Sequence, residues 1–273
     1  MLLLLLILLA LMALYLWMIA PARTHPDASA LEGWLYAHRG LHDQQGNATE
    51  NSPKAFALAV EHGFGIELDV QHTKDGRLVV CHDGNLKRVC GVDKRIFDLT
   101  YEELCAIPLP DGTHVPLFAE VLKLVDGKAP LIVEIKHYGK VVSTCEDTLA
   151  HLRAYRGAYC VESFHPLAVR YFRKHAPDIV RGQLAWGGKW NKVDLSGAAH
   201  FAMKYLLVNV LGRPHFIAYS VPSDHTLSMW LMKRLYKPLL AAWTIRDQSV
   251  LDDALKEYDY PIFELFMPAE KKA

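Results

Sequence analysis

Eight short apolar runs, each rich in β-branched and aromatic residues, alternate with helical patterns over residues 34–273 of this chain. The runs lie at 34–38, 64–70, 131–136, 159–164, 180–185, 215–220, 239–244 and 260–265. Strands that alternate with helices form parallel sheets, and eight such units in about 240 residues are typical of a TIM (β/α)8 barrel. We therefore predict an α/β fold with one TIM barrel over 34–273, including helices at 53–62, capped by Ser52, and at 117–125.

The connection between the second and third runs is too long for one helix, since residues 71–130 separate them. It predicts a small insertion around 84–116, preceded by a strand pair near 78–81. A helix over 101–107 begins at the capping box formed by Thr100 and Glu103. We place the insertion at the C-terminal mouth of the barrel, where barrel enzymes have their active sites.

Residues 2–20 contain no charged side chain, and 19 residues at about 1.5 Å each span roughly 28 Å, the thickness of a bilayer core. We predict a transmembrane anchor over 1–20 and a juxtamembrane linker over 21–33, which would keep the anchor out of the barrel core. The alternative is a signal peptide, cleaved near Ala20 and Ala22. The nearby Arg23 favours a cytoplasmic catalytic domain but encodes orientation weakly.

The charges exclude one class of partner. Thirty basic and thirty acidic residues give a net charge of zero and a pI near 7.2, so we expect no nucleic-acid partner. The five cysteines form no CxxC pair, which argues against a disulfide framework and favours a reducing compartment.

Polar residues interrupt two of the predicted strands. Glu67 and Asp69 are two residues apart in the second run, and Glu134 and Lys136 are two apart in the third, so each pair lies on one face of its strand. Three carboxylates from neighbouring strands predict an oxygen-rich site for a hard divalent cation, with Zn²⁺ less suited because no His or Cys shares those positions. The alternative is a set of buried ion pairs without a metal.

Two histidines follow predicted strands. The first run ends at His38, followed by Arg39 and Gly40, and His82 follows the apolar residues 78–81. Arg39 carries a planar fork suited to phosphate. Two histidines near a cation and an arginine are the groups needed for acid–base cleavage of a phosphodiester.

These residues together form an ordered motif set. His38-Arg39-Gly40, Glu50-Asn51-Ser52, Glu67-x-Asp69, His82-Asp83, Glu134-x-Lys136, Glu162-Ser163-Phe164 and Trp243-Thr244-Ile245-Arg246 occur in that order. The set resembles the motifs of the glycerophosphodiester phosphodiesterase family over about residues 34–268. The ending Phe263-Glu264, where many members have Thr-Asp, resembles that of membrane-anchored bacterial members. A single-pass protein of a bacterial inner membrane is therefore expected.

The resemblance implies hydrolysis of glycerophosphodiesters to glycerol 3-phosphate and an alcohol, with attack by the substrate's own glycerol hydroxyl. Glu67, Asp69 and Glu134 would bind Mg²⁺ or Ca²⁺, and His38 and His82 would be the general base and acid. Arg39 and Lys136 would hold phosphate oxygens.

Three further residues have two interpretations each. Glu50 and Asn51 either begin a helix or support the site, and Trp243 is either barrel core or an apolar wall for the substrate. Histidines 42, 62, 72, 137 and 165 are expected at the surface or at helix caps. Two alternative functions remain open, a lysophospholipase D acting on lysophospholipids at the membrane and a non-catalytic, membrane-anchored binding module.

Overall fold

The computed structural model describes residues 1–188, 196–221 and 223–269. Its strands are β1 (Tyr36–His38), β2 (Gly65–His72), β3 (Leu78–Val80), β4 (Leu131–Ile135), β5 (Tyr159–Ser163), β6 (Arg181–Ala185), β7 (Phe216–Ser220), β8 (Leu239–Ile245) and β9 (Tyr260–Phe263). All except β3 pair in parallel with their neighbours, and β1 closes the ring by pairing with both β2 and β9. The predicted TIM barrel is confirmed.

The described residues form eleven α-helices, most of which cover the outside of the barrel. They are α1 (Leu2–Ile19), α2 (Pro53–Glu61), α3 (Lys87–Cys90), α4 (Tyr101–Cys105), α5 (Phe118–Val125), α6 (Val141–Ala154), α7 (Pro166–His175), α8 (Gly197–Lys204), α9 (Asn209–Gly212), α10 (Leu227–Leu231) and α11 (Gln248–Ala254). A π-helical stretch over Met232–Tyr236 continues α10. Ser52 caps α2 by accepting a hydrogen bond from the Ala55 amide, as its sequence predicts.

Successive side chains of a strand point to opposite faces of the sheet, so the apolar residues form one layer inside the barrel and one outside it. The residues that fill the barrel interior include Tyr36, Ile132, Phe216, Ala241 and Tyr260. A larger cluster packs between the strands and the outer helices. Towards the carboxyl ends of the strands, the interior positions become charged, and this change places the polar site at the mouth.

The insertion after β2 forms a small subdomain. The strand pair expected near 78–81 is formed by β3 and the end of β2, which pair antiparallel with Val80 opposite Val70. The capping box of Thr100 and Glu103 is present, although α4 ends at Cys105. The subdomain has its own apolar core, which consists of Val79, Cys81, Leu86, Ile96, Leu99, Leu104, Leu109 and Val115.

The end of α1 packs against the barrel, contrary to the expectation that the anchor stays out of the core. Ile19 is fully buried in the outer apolar cluster. The Asn209 amide donates a hydrogen bond of 2.7 Å to the Ile19 carbonyl, and the Tyr236 hydroxyl donates one of 2.7 Å to the Leu16 carbonyl. Residues 2–14 are exposed. The last turn of α1 is therefore part of the folded domain.

The segment predicted as a linker, 21–33, is also packed rather than free. Ala28 and Leu31 are buried with the residues that fill the barrel interior. The Tyr36 hydroxyl donates a hydrogen bond of 2.6 Å to the Leu31 carbonyl.

The five cysteines are free, as expected.

Candidate active site

Three carboxylates from β2 and β4 meet inside the mouth of the barrel. Pairing of the two strands places Asp69 opposite Glu134, and alternation places Glu67 on the same interior face. All three side chains are buried, and one oxygen from each lies within 4.8 Å of the others. The structure thus brings together the three carboxylates that the sequence predicts as a cluster.

Burial and the surrounding charges shift the pKa values of the three carboxylates. Burial, then the charges of Asp69 and Glu134, raise the pKa of Glu67 well above its usual range. Burial likewise raises the pKa of Glu134. The pKa of Asp69 is lowered despite its burial, because Lys136, His82 and Arg39 surround it. Three buried carboxylate donors in this arrangement suit a hard cation such as Mg²⁺ or Ca²⁺.

Lys136 supplies part of the missing charge. It follows β4, and its Nζ lies 2.8 Å from Asp69 Oδ1 and 2.8 Å from Glu134 Oε1. These charges raise its pKa in spite of burial, so it remains a cation. The buried ion pairs considered as an alternative to a metal are therefore present, but one lysine neutralises only one of the three carboxylates.

His38 is held by a carboxylate that the motif analysis left without a role. Its Nδ1 lies 2.5 Å from Oε2 of Glu264, which follows β9, and its Nε2 lies 3.9 Å from Oε2 of Glu67. Burial lowers the pKa of His38 to about 4, against the opposing effect of Glu264. The hydrogen bond from His38, the nearby His42 and the charge of Arg246 lower the pKa of Glu264 despite its burial. A neutral imidazole thus donates Nδ1–H to an ionised Glu264 and leaves the Nε2 lone pair facing the cluster.

His82 has a similar partner on the other side of the site. Its Nδ1 lies 2.6 Å from Oδ1 of Asp83. Arg88 of α3 donates from Nε to the second oxygen of Asp83 at 2.6 Å and from both terminal nitrogens to Glu50, at 2.7 and 2.6 Å. Burial would raise the pKa of Asp83, but hydrogen bonds from His82 and Arg88 lower it. The insertion therefore contributes Arg88, whose guanidinium holds Asp83 in place beside His82.

Arg39 and Asn51 lie between these groups, and both have positive φ values of 57°. The backbone amide of Arg39 donates to Glu67 at 3.0 Å, and its guanidinium donates to Glu50 at 2.9 Å. Asn51 donates to Asp69 at 2.8 Å. Glu50 and Asn51 thus contact the site and precede α2, so both interpretations of this motif apply.

Trp243 of β8 lies at the mouth beside Phe164, with ring centroids 5.6 Å apart. The two rings are partly buried against the residues that fill the barrel interior. Within the described ranges, the buried Nε1 of Trp243 has no hydrogen-bond acceptor. The residue is at once barrel lining and a candidate wall for the substrate.

Sequence reasoning missed several residues at this site. Glu162 of β5 is buried opposite Glu134, and burial and Glu134 raise its pKa well above its usual range. His42, expected at the surface or a cap, has a 10% exposed side chain whose Nε2 lies 3.8 Å from Oε2 of Glu264. Alternation could have found Glu162 and Glu264, since each lies an even number of residues from an interior position of its own strand.

Comparisons with known proteins point to the family that the motifs of this chain resemble. The model of the glycerophosphoryl diester phosphodiesterase family matches residues 38–260. A glycerophosphodiester phosphodiesterase of Bacillus altitudinis is 35% identical over 162 residues, which are 53% of this chain and 63% of that protein. The rat lysophospholipase D GDPD1 is 37% identical over 114 residues, 37% of this chain and 35% of that protein. The match thus covers less than two thirds of these relatives.

Solved structures show the same fold. A phosphodiesterase of Oleispira antarctica, determined in complex with the product sn-glycerol-3-phosphate, aligns with a TM-score of 0.70 over 86% of this chain and 94% of that one, at 20% identity. At 20% identity, this alignment supports the barrel fold and carries no conclusion about the chemistry of the site.

Proposed function

Because the chain belongs to the glycerophosphoryl diester phosphodiesterase family, we propose that it hydrolyses glycerophosphodiesters to glycerol 3-phosphate and an alcohol. One observation carries the proposal: three buried carboxylates lie within 4.8 Å of one another, close to histidines that are each paired with a further carboxylate. That combination supplies a cation site, a base and an acid. Together these three elements can catalyse the hydrolysis of a phosphoric diester.

Glu67, Asp69 and Glu134 would hold one divalent cation, Mg²⁺ or Ca²⁺. When bound, such a cation polarises a phosphoryl oxygen and offsets the negative charge that develops during the reaction. The raised pKa values of Glu67 and Glu134 support this assignment, since burial and the neighbouring carboxylates outweigh the nearby positive charges at both groups.

His38 would act as the general base. Its Nε2 lone pair would take the proton of the attacking hydroxyl, which the resemblance assigns to the glycerol moiety of the substrate itself. As the new P–O bond forms, the bond to the departing alcohol breaks, and His82 would donate a proton to that oxygen. Water would then open the cyclic phosphate with the two proton transfers reversed.

The carboxylates behind the histidines would fix their orientation and stabilise their protonated forms. Glu264 accepts a hydrogen bond from Nδ1 of His38, and Asp83 lies 2.6 Å from Nδ1 of His82. A base oriented by a third group is a recurring arrangement in acid–base catalysis.

Arg39 and Lys136 would bind the phosphate oxygens. Lys136 is buried and Arg39 is partly buried beside the carboxylate cluster, and Arg39 Nε has no hydrogen-bond acceptor among the described residues. Trp243 and Phe164 would form the apolar wall against the glycerol or alcohol moiety. The unpaired Nε1 of Trp243 would be a donor to the substrate.

The second candidate substrate class is lysophospholipids, cleaved as by a lysophospholipase D. The observation that favours it is the apolar helix α1, which is long and apolar enough to cross a membrane and would hold the barrel close to lipid. Release of choline or ethanolamine from deacylated and monoacyl substrates, compared in parallel, separates the two. The third class, a binding module without activity, is opposed by the buried carboxylates, whose burial without a function is costly.

We assign α1 to a retained single-pass span rather than a cleaved signal peptide. Cleavage after Ala20 or Ala22 would remove Ile19 from the core and break the hydrogen bonds of Asn209 and Tyr236 to α1. The full-length protein should then resist carbonate extraction from membranes. A mature chain that begins near Arg23 would contradict the assignment.

The test of the proposed activity is an assay of the purified full chain against a panel of glycerophosphodiesters. His38→Ala and His82→Ala should each lose at least about 100-fold in turnover, the lower end of what proton transfer contributes. Circular dichroism should show an unchanged fold. A variant that keeps more than about a tenth of wild-type turnover would remove that histidine from the mechanism.

A further inference from the structure

A basic cavity lies at the end of the barrel opposite the mouth. Arg181 begins β6 and His215 immediately precedes β7, so both mark the amino-terminal end of the strands. The cavity measures about 400 Å³, and its lining includes Arg23, His25, Arg173, Arg181, Arg213 and His215. None of these residues belongs to the proposed active site.

Arg181 lines this cavity and is buried, with 5% of its surface exposed. Its Nε donates to the Gly212 carbonyl at 3.1 Å, and its Nη2 donates to the Arg213 carbonyl at 2.8 Å. In the part of the chain that the structure describes, its Nη1 has no acceptor. Burial, with the charge of Arg173, lowers the pKa of Arg181 to about 10, so the guanidinium still carries its charge at neutral pH.

Over the same described residues, no carboxylate forms an ion pair with arginines 23, 173, 181 or 213. The charge of Asp259 reaches His25, but an oxygen of Asp259 accepts the Leu240 amide at 2.7 Å. Asp178, next to the cavity residue Pro177, pairs with Arg153. Although the chain has no net charge, four arginines without a carboxylate partner among the described residues lie around this one cavity.

We propose that this cavity binds a phosphate group, carried either by the headgroup of an anionic phospholipid or by free phosphate. Guanidinium forks match phosphate oxygens in geometry as well as in charge. The Nη1 of Arg181 offers a desolvated donor, where a charged hydrogen bond is strongest. The segment that follows α1 lines the site through Ala22 and Arg23, and the site does not depend on the proposed hydrolase activity.

A second cavity beside the first makes a lipid a fitting source of the phosphate. This groove, about 690 Å³, shares Ala22, Arg23 and Arg213 with the basic cavity. It continues along the end of α1, past Leu16, Trp17, Leu235 and Tyr236. Apolar side chains for an acyl chain next to arginines for a headgroup are the pattern of a phospholipid site at the end of a membrane span.

Arg213 connects the two cavities. Its Nη1 donates to the carbonyls of Trp17 and Ala20, each at 2.7 Å, and its guanidinium lies 5.1 Å from the Trp17 ring centroid. A phosphate held beside Arg213 would therefore lie at the level where α1 leaves the bilayer. Headgroup phosphates are found at that level.

The test is calorimetric titration of the full chain in a neutral detergent with three probes. Inorganic phosphate represents the free anion, short-chain phosphatidylglycerol the anionic lipid, and short-chain phosphatidylcholine the zwitterionic lipid. Arg173→Gln and Arg181→Gln remove cavity arginines, the first at an exposed position whose guanidinium donates to the Leu211 carbonyl at 3.1 Å. Arg170→Gln is the matched control, because Arg170 lies on the same helix and lines a neighbouring groove but not this cavity.

We expect Arg173→Gln and Arg181→Gln each to weaken binding about tenfold, the effect of losing one charged hydrogen bond, and Arg170→Gln to bind within about twofold of wild type. Phosphatidylglycerol that binds about tenfold more tightly than phosphate, and competes with it, identifies the lipid as the source. Equal affinities identify free phosphate. If both cavity variants bind every probe as tightly as Arg170→Gln, the proposal is overturned, since any remaining binding would belong to the active site.

Discussion

Nδ1 of His38 lies 2.5 Å from Oε2 of Glu264, although 226 residues separate them in the chain. The barrel brings them together by pairing β1 with β9, because His38 ends β1 and Glu264 immediately follows β9. This contact turns Glu264, which stands where many family members have another residue, into the group that orients the proposed base.

The first prediction concerns Glu264. Glu264→Gln keeps the shape but can present its amide to Nδ1 and so favour the wrong imidazole tautomer. We expect turnover on a glycerophosphodiester to fall about 100-fold, with KM nearly unchanged, since the contact acts through His38. Glu264→Asp should recover part of the loss. Glu61→Gln, an exposed position on α2, serves as control, and equal turnover for Glu264→Gln and Glu61→Gln would contradict the orienting role.

The second prediction concerns Arg88, which joins the insertion to the mouth. Arg88→Gln breaks its contacts with Glu50 and Asp83 and loosens the supports of Arg39 and His82. We expect about a tenfold loss in kcat/KM, the size of one charged hydrogen bond at a site. Arg95→Gln is the control, since Arg95 forms its ion pair with the exposed Asp98, away from Glu50 and Asp83. Steady-state kinetics that show the same loss in both variants would point to general damage to the insertion.

The third prediction concerns the end of α1. Because Ile19 is fully buried, Ile19→Ala should lower the free energy of unfolding by about 2 to 3 kcal/mol, the usual cost of a cavity in a core. Ile7→Ala, on the exposed part of the same helix, should have little effect in detergent. Denaturant unfolding of both variants checks this. Equal stabilities would show that α1 is a free tether.

The fourth prediction concerns His215, whose burial and neighbour Arg181 lower its pKa to about 3. The unfolded chain takes up a proton near pH 6.5 and the folded chain does not, so this residue costs stability as the pH falls below 6.5. The cost grows by up to about 1.4 kcal/mol per pH unit. In phosphate-free buffer, the stability of the wild type should therefore fall more steeply between pH 6.5 and 5 than that of His215→Gln. Parallel curves would contradict the pKa, and His62→Gln, at an exposed position, should follow the wild type.

The strands and the carboxylate cluster could be predicted because both depend on local alternation. Apolar runs set the strands to within two residues, and the spacing of Glu67 and Asp69 fixed their common face. Glu264 obeys the same alternation, since Tyr260 and Ile262 of β9 point inward. The family pattern has Thr-Asp at this place in many members, so the resemblance assigns Glu264 no role.

Contacts between distant segments could not be predicted from the sequence. Arg88 reaches Glu50 across 38 residues only because the insertion folds back over the mouth. Asn209 and Tyr236 contact α1 across 190 and 220 residues. An apolar helix and a short polar segment indicate an anchor and a linker, and nothing in their composition encodes the surface on which they pack.

The most direct test of the proposed activity measures glycerol 3-phosphate release by the purified chain before and after removal of divalent cations. We predict that a chelator abolishes release, that Mg²⁺ or Ca²⁺ restores it, and that Glu134→Gln binds the cation at least about tenfold more weakly in direct titration. Glu120→Gln, an exposed carboxylate on α5, should behave as the wild type. Full release in excess chelator, or wild-type cation affinity in Glu134→Gln, would contradict the carboxylate site on which the account depends.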